Sequence, residues 1–303
     1  MLNKFIAFLL PYFPKKFIWI FSKRYIAGET LEDALAVSKN LNREGISVTL
    51  DVLGEFIKDL DEAERNKQEY LHVIDLLAAE KINGNFSVKP SSFGLLIDEE
   101  VCYRHIREIV IKAASYHNFV RIDMEDSSCV DREIKLYKRL HKEFPKNVGL
   151  VFQAYLKRTF QDLVDLTSLH TKDAPLNFRL CKGIYVEPSC IAYKDHDEIN
   201  RHYLEDLEYI LQQGFYVGIA THDDYLIGEA YKLLEKYKVP DDAYEFQMLY
   251  GVTPERRSSV LRNGHAMRVY VPFGKDWFGY STRRLKENPK MTTYIIKALF
   301  NRK

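Results

Sequence analysis

Four side chains near the carboxyl end, Tyr280, Arg283, Arg284 and Glu287, stand at i, i+3, i+4 and i+7 and so share one face of any helix that carries them. The inward stripe of an amphipathic helix is usually aliphatic. A stripe of two guanidinium forks, a carboxylate and a phenol could instead capture a small zwitterion, with bidentate hydrogen bonds to its carboxylate and an aromatic wall beside it. Taken alone, Arg-Arg-x-x-Glu reads as a solvated helix with an ion pair. Its neighbours decide otherwise.

Other chemistry-bearing residues recur at the ends of short apolar runs. Asp51 and Glu55 close the first, and Lys89, Asp123 and Gln153 close the next three. Arg179 and Lys182 follow, then Thr221 with His222, then Glu245 and Gln247. Lys89 and Asp123 could form an ion pair that fixes the field of a site without reacting. Gln153 offers a donor and an acceptor suited to a heterocycle edge. Arg179 and Lys182 put two positive charges beside Gly183, where a backbone can approach a ligand closely. His222 has no second His, Cys or carboxylate in ligand register, so no metal site is expected, and it reads equally well as a satisfied buried histidine. Each residue alone is more often structural than catalytic.

The elements that must position these groups alternate regularly. Helical spacing over 31–45, capped by Thr30 and stopped by Gly45, precedes the β-branched run ISVTLDVLGE. Helical stretches at 59–81, 98–117, 130–144, 158–170, 198–213, 226–237 and 256–263 each lead to a further short strand, the last being AMRVYVPFG. Eight such units with no flexible linker predict an α/β fold, a (β/α)8 TIM-type barrel over 31–303 with an N-terminal helical extension over 1–30. Barrel enzymes place reactive groups at the carboxyl ends of their strands, where these polar residues fall. An open doubly wound sheet is the alternative, but neither G-x-G-x-x-G nor G-x-x-x-x-G-K-[ST] is present.

Composition excludes other classes. The 303 residues are 46% hydrophobic, enough for a large core, and 44 basic against 43 acidic residues leave a charge of +1, so no global field attracts nucleic acid. Cys102, Cys129, Cys181 and Cys190 form no CxxC pair and no zinc spacing, and read as free thiols in a reducing compartment. No apolar run reaches the roughly 18 residues of a membrane span. The aromatic stretch Phe5 to Phe21, interrupted by Pro11, Pro14, Lys15 and Lys16, could pack on the domain or lie in a membrane interface; both readings stay open.

In order along the chain, DVLGE, VRIDMED, RLCKGIYVEP, ATHD, EFQMLYGV and RVYVPFGKDWFGYSTRRLKEN resemble the bacterial monofunctional proline dehydrogenases, flavoenzymes that begin proline catabolism. The resemblance covers Ala27 to Pro289, and its most specific element is Y-x-x-R-R-x-x-E after a V-P-F-G turn. It implies FAD as cofactor and L-proline as substrate. Hydride would pass from the ring carbon next to nitrogen to flavin N5, giving Δ1-pyrroline-5-carboxylate.

The resemblance also implies roles for residues. Arg283 and Arg284 would clamp the proline carboxylate with Lys89 nearby, Tyr280 would pack on the ring, and Glu287 would pair with the clamp. Asp123 and Arg179 would be the polar catalytic residues, with Arg179 also beside the flavin. Met124, Gln153, Lys182, Gly183, Ile184, Thr221 and His222 would contact FAD, and Tyr270, Glu245 and Gln247 would belong to the surrounding shell. Two positions depart from the family, Ile184 where Ala is common and Asp223 where Asn is frequent. Tyr280 implies a preference for proline over 4-hydroxyproline. Reoxidation by a membrane quinone, peripheral association with the inner face of the cytoplasmic membrane, and handover to pyrroline-5-carboxylate dehydrogenase are further expectations. Two rivals remain at this point: a barrel aldolase or sugar-phosphate enzyme with Lys182 as Schiff base, and a non-catalytic membrane-associated binding module.

Overall fold

The structure is a computed structural model that describes Trp19 and residues 22–281. The rest of the aromatic N-terminal stretch, and Arg283, Arg284 and Glu287, lie outside the described residues. Eight parallel strands close in sequence order into a barrel: β1 Ser47–Val52, β2 Gly84–Val88, β3 Val120–Ile122, β4 Val148–Gln153, β5 Asn177–Cys181, β6 Tyr216–Ala220, β7 Tyr244–Leu249 and β8 Met267–Phe273. Closure is made by β1 on β8, in register from Ser47 opposite Arg268 to Val52 opposite Phe273.

Among the described residues the helices around it are α1 Leu31–Arg43, α2 Leu60–Ala79, α3 Glu99–Ser115, α4 Val130–Glu143, α5 Thr159–Leu166, α6 His196–Gln212, α7 Asp224–Tyr237 and α8 Pro254–Arg262. The helix starts follow from capping chemistry. Thr30 and Asp33 form a reciprocal capping box on α1, and Asp59, Asp98, Asp195 and Asp223 each accept from backbone N–H groups at the first turn of α2, α3, α6 and α7. Between α1 and β1 the chain turns at Gly45, whose φ of 78° suits glycine. One stripe of each helix then faces the strands. In α3 that stripe is Cys102, Ile106, Ile109, Val110 and Ala113, all with no exposed surface. Burying each large aliphatic of this kind contributes about 1.5–3 kcal/mol.

The strands alternate: Val48, Leu50, Phe86, Val88, Phe178, Leu180, Val217 and Ile219 are buried with the helix layer, while the residues between them turn inward. A TIM barrel usually fills its interior with Val, Ile and Leu. Here the interior is largely polar, as bonds between strands that are not neighbours establish. Arg121 Nη2 on β3 donates to Asn177 Oδ1 on β5 at 2.6 Å, and Ser87 on β2 meets Arg179 on β5 at 3.1 Å. Because an unpaired buried charge is costly, these ions come with partners.

Chain segments before and after the barrel meet at its carboxyl end. The Ala27 N–H donates to Pro272 O at 2.9 Å, Gly274 N–H to Gly28 O at 3.1 Å, and the rings of Trp19 and Trp277 lie 4.7 Å apart. Residues 277–281 begin a helix after β8, in line with the helical spacing read there. No helix among the described residues is long and apolar enough to cross a membrane.

Candidate active site

Lys89 follows β2, Asp123 follows β3, Arg179 lies within β5 and Tyr270 within β8. Inward alternation brings all four to one point. Asp123 Oδ1 accepts from Arg179 Nη1 at 2.8 Å and from Ser87 Oγ at 2.8 Å, and its Oδ2 accepts from the Tyr270 hydroxyl at 2.8 Å. The Arg179 guanidinium also stands over the Tyr270 ring, 5.1 Å from its centroid. Burial alone would raise the Asp123 pKa; the charges of Arg179 and Lys89 and the bonds from Tyr270 and Ser87 outweigh it and hold this carboxyl below its usual range. Asp123 is therefore ionised at neutral pH.

The ion pair expected between Lys89 and Asp123 exists at 3.6 Å, but Lys89 has a closer partner: its Nζ is 2.6 Å from Asp51 Oδ1. Lys89 Nζ also donates to the Tyr270 hydroxyl at 3.2 Å. Burial favours the neutral amine, yet Asp51 and Asp123 together raise the Lys89 pKa, so the ammonium persists. The result is a buried, nearly fixed set of two cations and two carboxylates, a preorganised field for a charged small molecule.

The opposite flank is built from the loops after β4, β5 and β6. Gln153 uses both ends of its amide inside the protein, donating from Nε2 to Glu125 O at 2.8 Å and accepting from the Ile184 N–H at 3.3 Å. It thus ties the β3 and β5 loops together. Gly183 has φ 111°, and a Cβ there would overlap the Tyr155 ring. Packing against Tyr155 therefore demands this glycine, independently of any ligand. Lys182 Nζ meets Asp223 Oδ2 at 2.6 Å and His196 Nε2 at 3.2 Å. Asp223 also caps α7 by accepting from the Tyr225 N–H at 2.9 Å, a task that Asp and Asn perform equally well.

His222 accepts from the Leu249 N–H at Nε2, 3.1 Å away, and its Nδ1 lies 3.1 Å from Thr253 Oγ1. The first bond requires an unprotonated Nε2, which assigns the neutral tautomer with hydrogen on Nδ1. Thr221 Oγ1 accepts from the Asp223 N–H at 3.1 Å. These polar groups hold the carboxyl-end loops in shape.

One cavity of about 710 Å3 at the carboxyl ends of the strands collects these residues. All twelve described residues nominated for cofactor, substrate or catalysis line it, Tyr280 and Met124 included. Arg283, Arg284 and Glu287 lie outside the described residues. Glu245, read as a rim residue, instead sits deep in the barrel. It is the second residue of β7 and accepts from Arg268 Nε at 2.6 Å. Reading the sequence did not single out Ser87, Val151 or Tyr185, and did not pair Asp51 with Lys89. Alternation from Lys89 back through Ser87 would have placed Ser87 inside; the cross-barrel pairing has no local signal. No group of residues capable of holding a metal ion occurs among the described residues.

A closed (β/α)8 barrel with a charged, partly apolar cavity at its carboxyl mouth defines an enzyme of the TIM-barrel class, acting on a small charged substrate. Comparison with known proteins narrows this to a family. The sequence model of proline dehydrogenase matches residues 34–295, so the chain belongs to the proline dehydrogenase family, whose reaction is the oxidation of proline. It is 36% identical to proline dehydrogenase 1 of Bacillus subtilis over 281 residues, 93% of this chain and 91% of that one. It is 33% identical to the proline dehydrogenase of Deinococcus radiodurans over 286 residues, 93% and 91% of the two chains. The crystal structure of proline utilization A from Bdellovibrio bacteriovorus, inactivated by N-propargylglycine, superposes with a TM-score of 0.83 at 27% identity, covering 88% of this chain and 32% of that longer one. The aldolase and binding-module readings fall with this result.

Proposed function

We propose that this proline dehydrogenase oxidises L-proline to Δ1-pyrroline-5-carboxylate with bound FAD, and that its cavity is the flavin and substrate site. The single observation that carries the reading is that every described residue nominated for cofactor, substrate or catalysis lines one cavity. The residues present suit a flavin. Met124, Val151, Ile184 and Leu249 offer apolar surface for a flat ring system, and Arg179 and Lys182 offer positive charge for its anionic edge and phosphates. Met124, Gln153, Arg179, Lys182, Gly183, Ile184, Thr221 and His222 would hold it.

FAD supplies the acceptor for the hydride that leaves the ring carbon next to the proline nitrogen. The protein's own residues orient and polarise. Lys89, with Arg283 and Arg284, takes the proline carboxylate, and Glu287 steadies the arginines. Tyr280 covers the ring, and Tyr270 backs the site through Asp123 and Lys89. Asp123 and Arg179 set the field in which the amine proton is lost and positive charge develops on the substrate. Because orientation and field carry the step, no strong general base is needed.

A membrane quinone would take the electrons on. The aromatic segment within residues 1–30 would bring the barrel of residues 31–303 to the inner face of the cytoplasmic membrane. Handover of the product to pyrroline-5-carboxylate dehydrogenase completes the proposal. An anaerobic absorbance spectrum before and after L-proline tests the core of it. A flavin band near roughly 450 nm that bleaches with proline and only weakly with 4-hydroxyproline is expected. A protein that stays colourless after FAD is added would remove the cofactor.

A further inference from the structure

Arg179 touches Asp123 and Ser87 with the outer nitrogens of its guanidinium, and its inner Nε donates to Gln247 Oε1 at 2.6 Å. The Gln247 amide has only one way to face. Its Nε2 donates to Glu245 Oε1 at 2.7 Å, and the same oxygen accepts from Arg268 Nε at 2.6 Å. Burial would push Glu245 up, but Arg268 outweighs it and the carboxyl stays below its usual range. A line of groups with alternating sign therefore runs across the barrel interior: Asp123, Arg179, the Gln247 dipole, Glu245, Arg268.

The path exists because of a gap in the strand between. In register, Arg179 on β5 lies opposite Gly218 on β6, and Gly218 lies opposite Glu245 on β7. A Cβ on Gly218 would overlap the Gln247 amide at Nε2 and Cδ. The missing side chain is the space through which Gln247 reaches Arg179. Gln247 itself is 5% exposed, and its amide is spent on this relay.

We infer that Gln247, seated over Gly218 and oriented by the Glu245–Arg268 pair, is a positioning residue that fixes the Arg179 guanidinium at the reaction site. A guanidinium bonded at Nε to Gln247 and at its outer nitrogens to Asp123 and Ser87 is held from both sides and cannot swing freely. Its charge stays where the proposed flavin would gain electrons, which favours the reduced, anionic cofactor and a faster hydride step. The inference rests on the proposed FAD site.

Two variants attack the same contact by different means. Gln247→Met keeps the volume and removes both hydrogen bonds. Gly218→Ala keeps every hydrogen-bonding atom and takes the space. Each is purified with FAD, and its flavin content, midpoint potential and steady-state kinetics are compared with the parent. Both should retain flavin, show a more negative midpoint potential, and lose about 10-fold in kcat with little change in KM for proline, the scale of one lost hydrogen bond to a charged group. A lowered melting temperature with unchanged potential and unchanged kcat would reduce the relay to a structural role and overturn the inference. If Gln247→Met fails to fold, the same readings on Gly218→Ala decide. A parent protein that binds no flavin would overturn the cofactor proposal as well, whereas bound flavin with an unmoved potential overturns this inference alone.

Discussion

Lys89 Nζ lies 2.6 Å from Asp51 Oδ1, and this largely buried pair joins the ends of β1 and β2 beside the cavity that Lys89 lines. Asp51 has no exposed surface, and its second oxygen has no hydrogen-bond partner among the described residues. Such a pair is strongly coupled. Removing one member leaves a buried charge, whereas removing both leaves an apolar contact. Asp51→Leu should therefore lower stability by roughly 3–5 kcal/mol, and Lys89→Met by a similar amount. The double variant should recover most of the loss. Urea unfolding of the four proteins gives the coupling energy; simple addition of the two losses would show that the pair is not a unit.

Gly183 makes a second prediction, because its φ of 111° and the Tyr155 ring beside it both exclude a side chain. Gly183→Ala should cost about 2 kcal/mol or more and release bound flavin, since the loop from Lys182 to Tyr185 must shift to clear the ring. Gly228→Ala is the matching control. It lies within α7 with open space where a Cβ would go, and should stabilise by up to about 1 kcal/mol. Thermal melts and flavin absorbance on both variants separate loop displacement from a general effect of adding a methyl group.

Much of the fold could be read from the chain because its signals are local. Apolar alternation in SVTLDV and in NFRLC sets strand and face, and the helix starts read at 59, 98, 198 and 226 are reproduced within a residue or two. The cavity residues were legible for the same reason, since the last inward position of each strand must lie at the mouth. What the sequence hid are relations between strands. That Asp51, more than Asp123, holds Lys89 depends on the register of β1 on β2. That Gln247 meets Arg179 depends on a glycine in the strand between them. Glu245 was misplaced at the rim although its position as second residue of β7 already argued for depth. That the Tyr155 ring fills the space beside Gly183 likewise has no sign in the chain.

Asp206 on α6 supplies a prediction about stability. It is 2% exposed, its Oδ2 lacks a partner, and burial pushes its pKa up to about 8. The folded protein thus holds this proton more tightly than the unfolded chain, where the carboxyl titrates near 4. Its contribution is fully present below about pH 4, falls as pH rises, and levels off above about pH 8. Asp206→Asn cannot lose that proton. Its advantage over the parent should therefore grow between about pH 4 and pH 8, reaching roughly 5 kcal/mol at the upper end. Denaturant melts at pH 5 and pH 8 measure it; an identical difference at both values would mean that the carboxyl is solvated.

Tyr270 joins the two halves of the charged site, donating its hydroxyl proton to Asp123 Oδ2 at 2.8 Å while accepting from Lys89 Nζ at 3.2 Å. Tyr270→Phe keeps the ring under Arg179 and deletes only this bridge. Asp123 then loses one of the bonds that hold its pKa down, so the carboxyl should protonate at a higher pH. The reaction needs Asp123 ionised, its pKa moves up, and the acid limb of the kcat/KM profile shifts to higher pH while the alkaline limb stays. At neutral pH the loss should be about 10-fold, the scale of one hydrogen bond to a charged group. Flavin content should not change, because Tyr270 faces Asp123 and Lys89 rather than the Lys182 flank. A pH–rate profile of the variant, with proline varied at each pH, distinguishes this from a defect in substrate affinity. An unmoved acid limb would mean that the activity does not depend on the ionisation of Asp123, and would return that residue to a structural role.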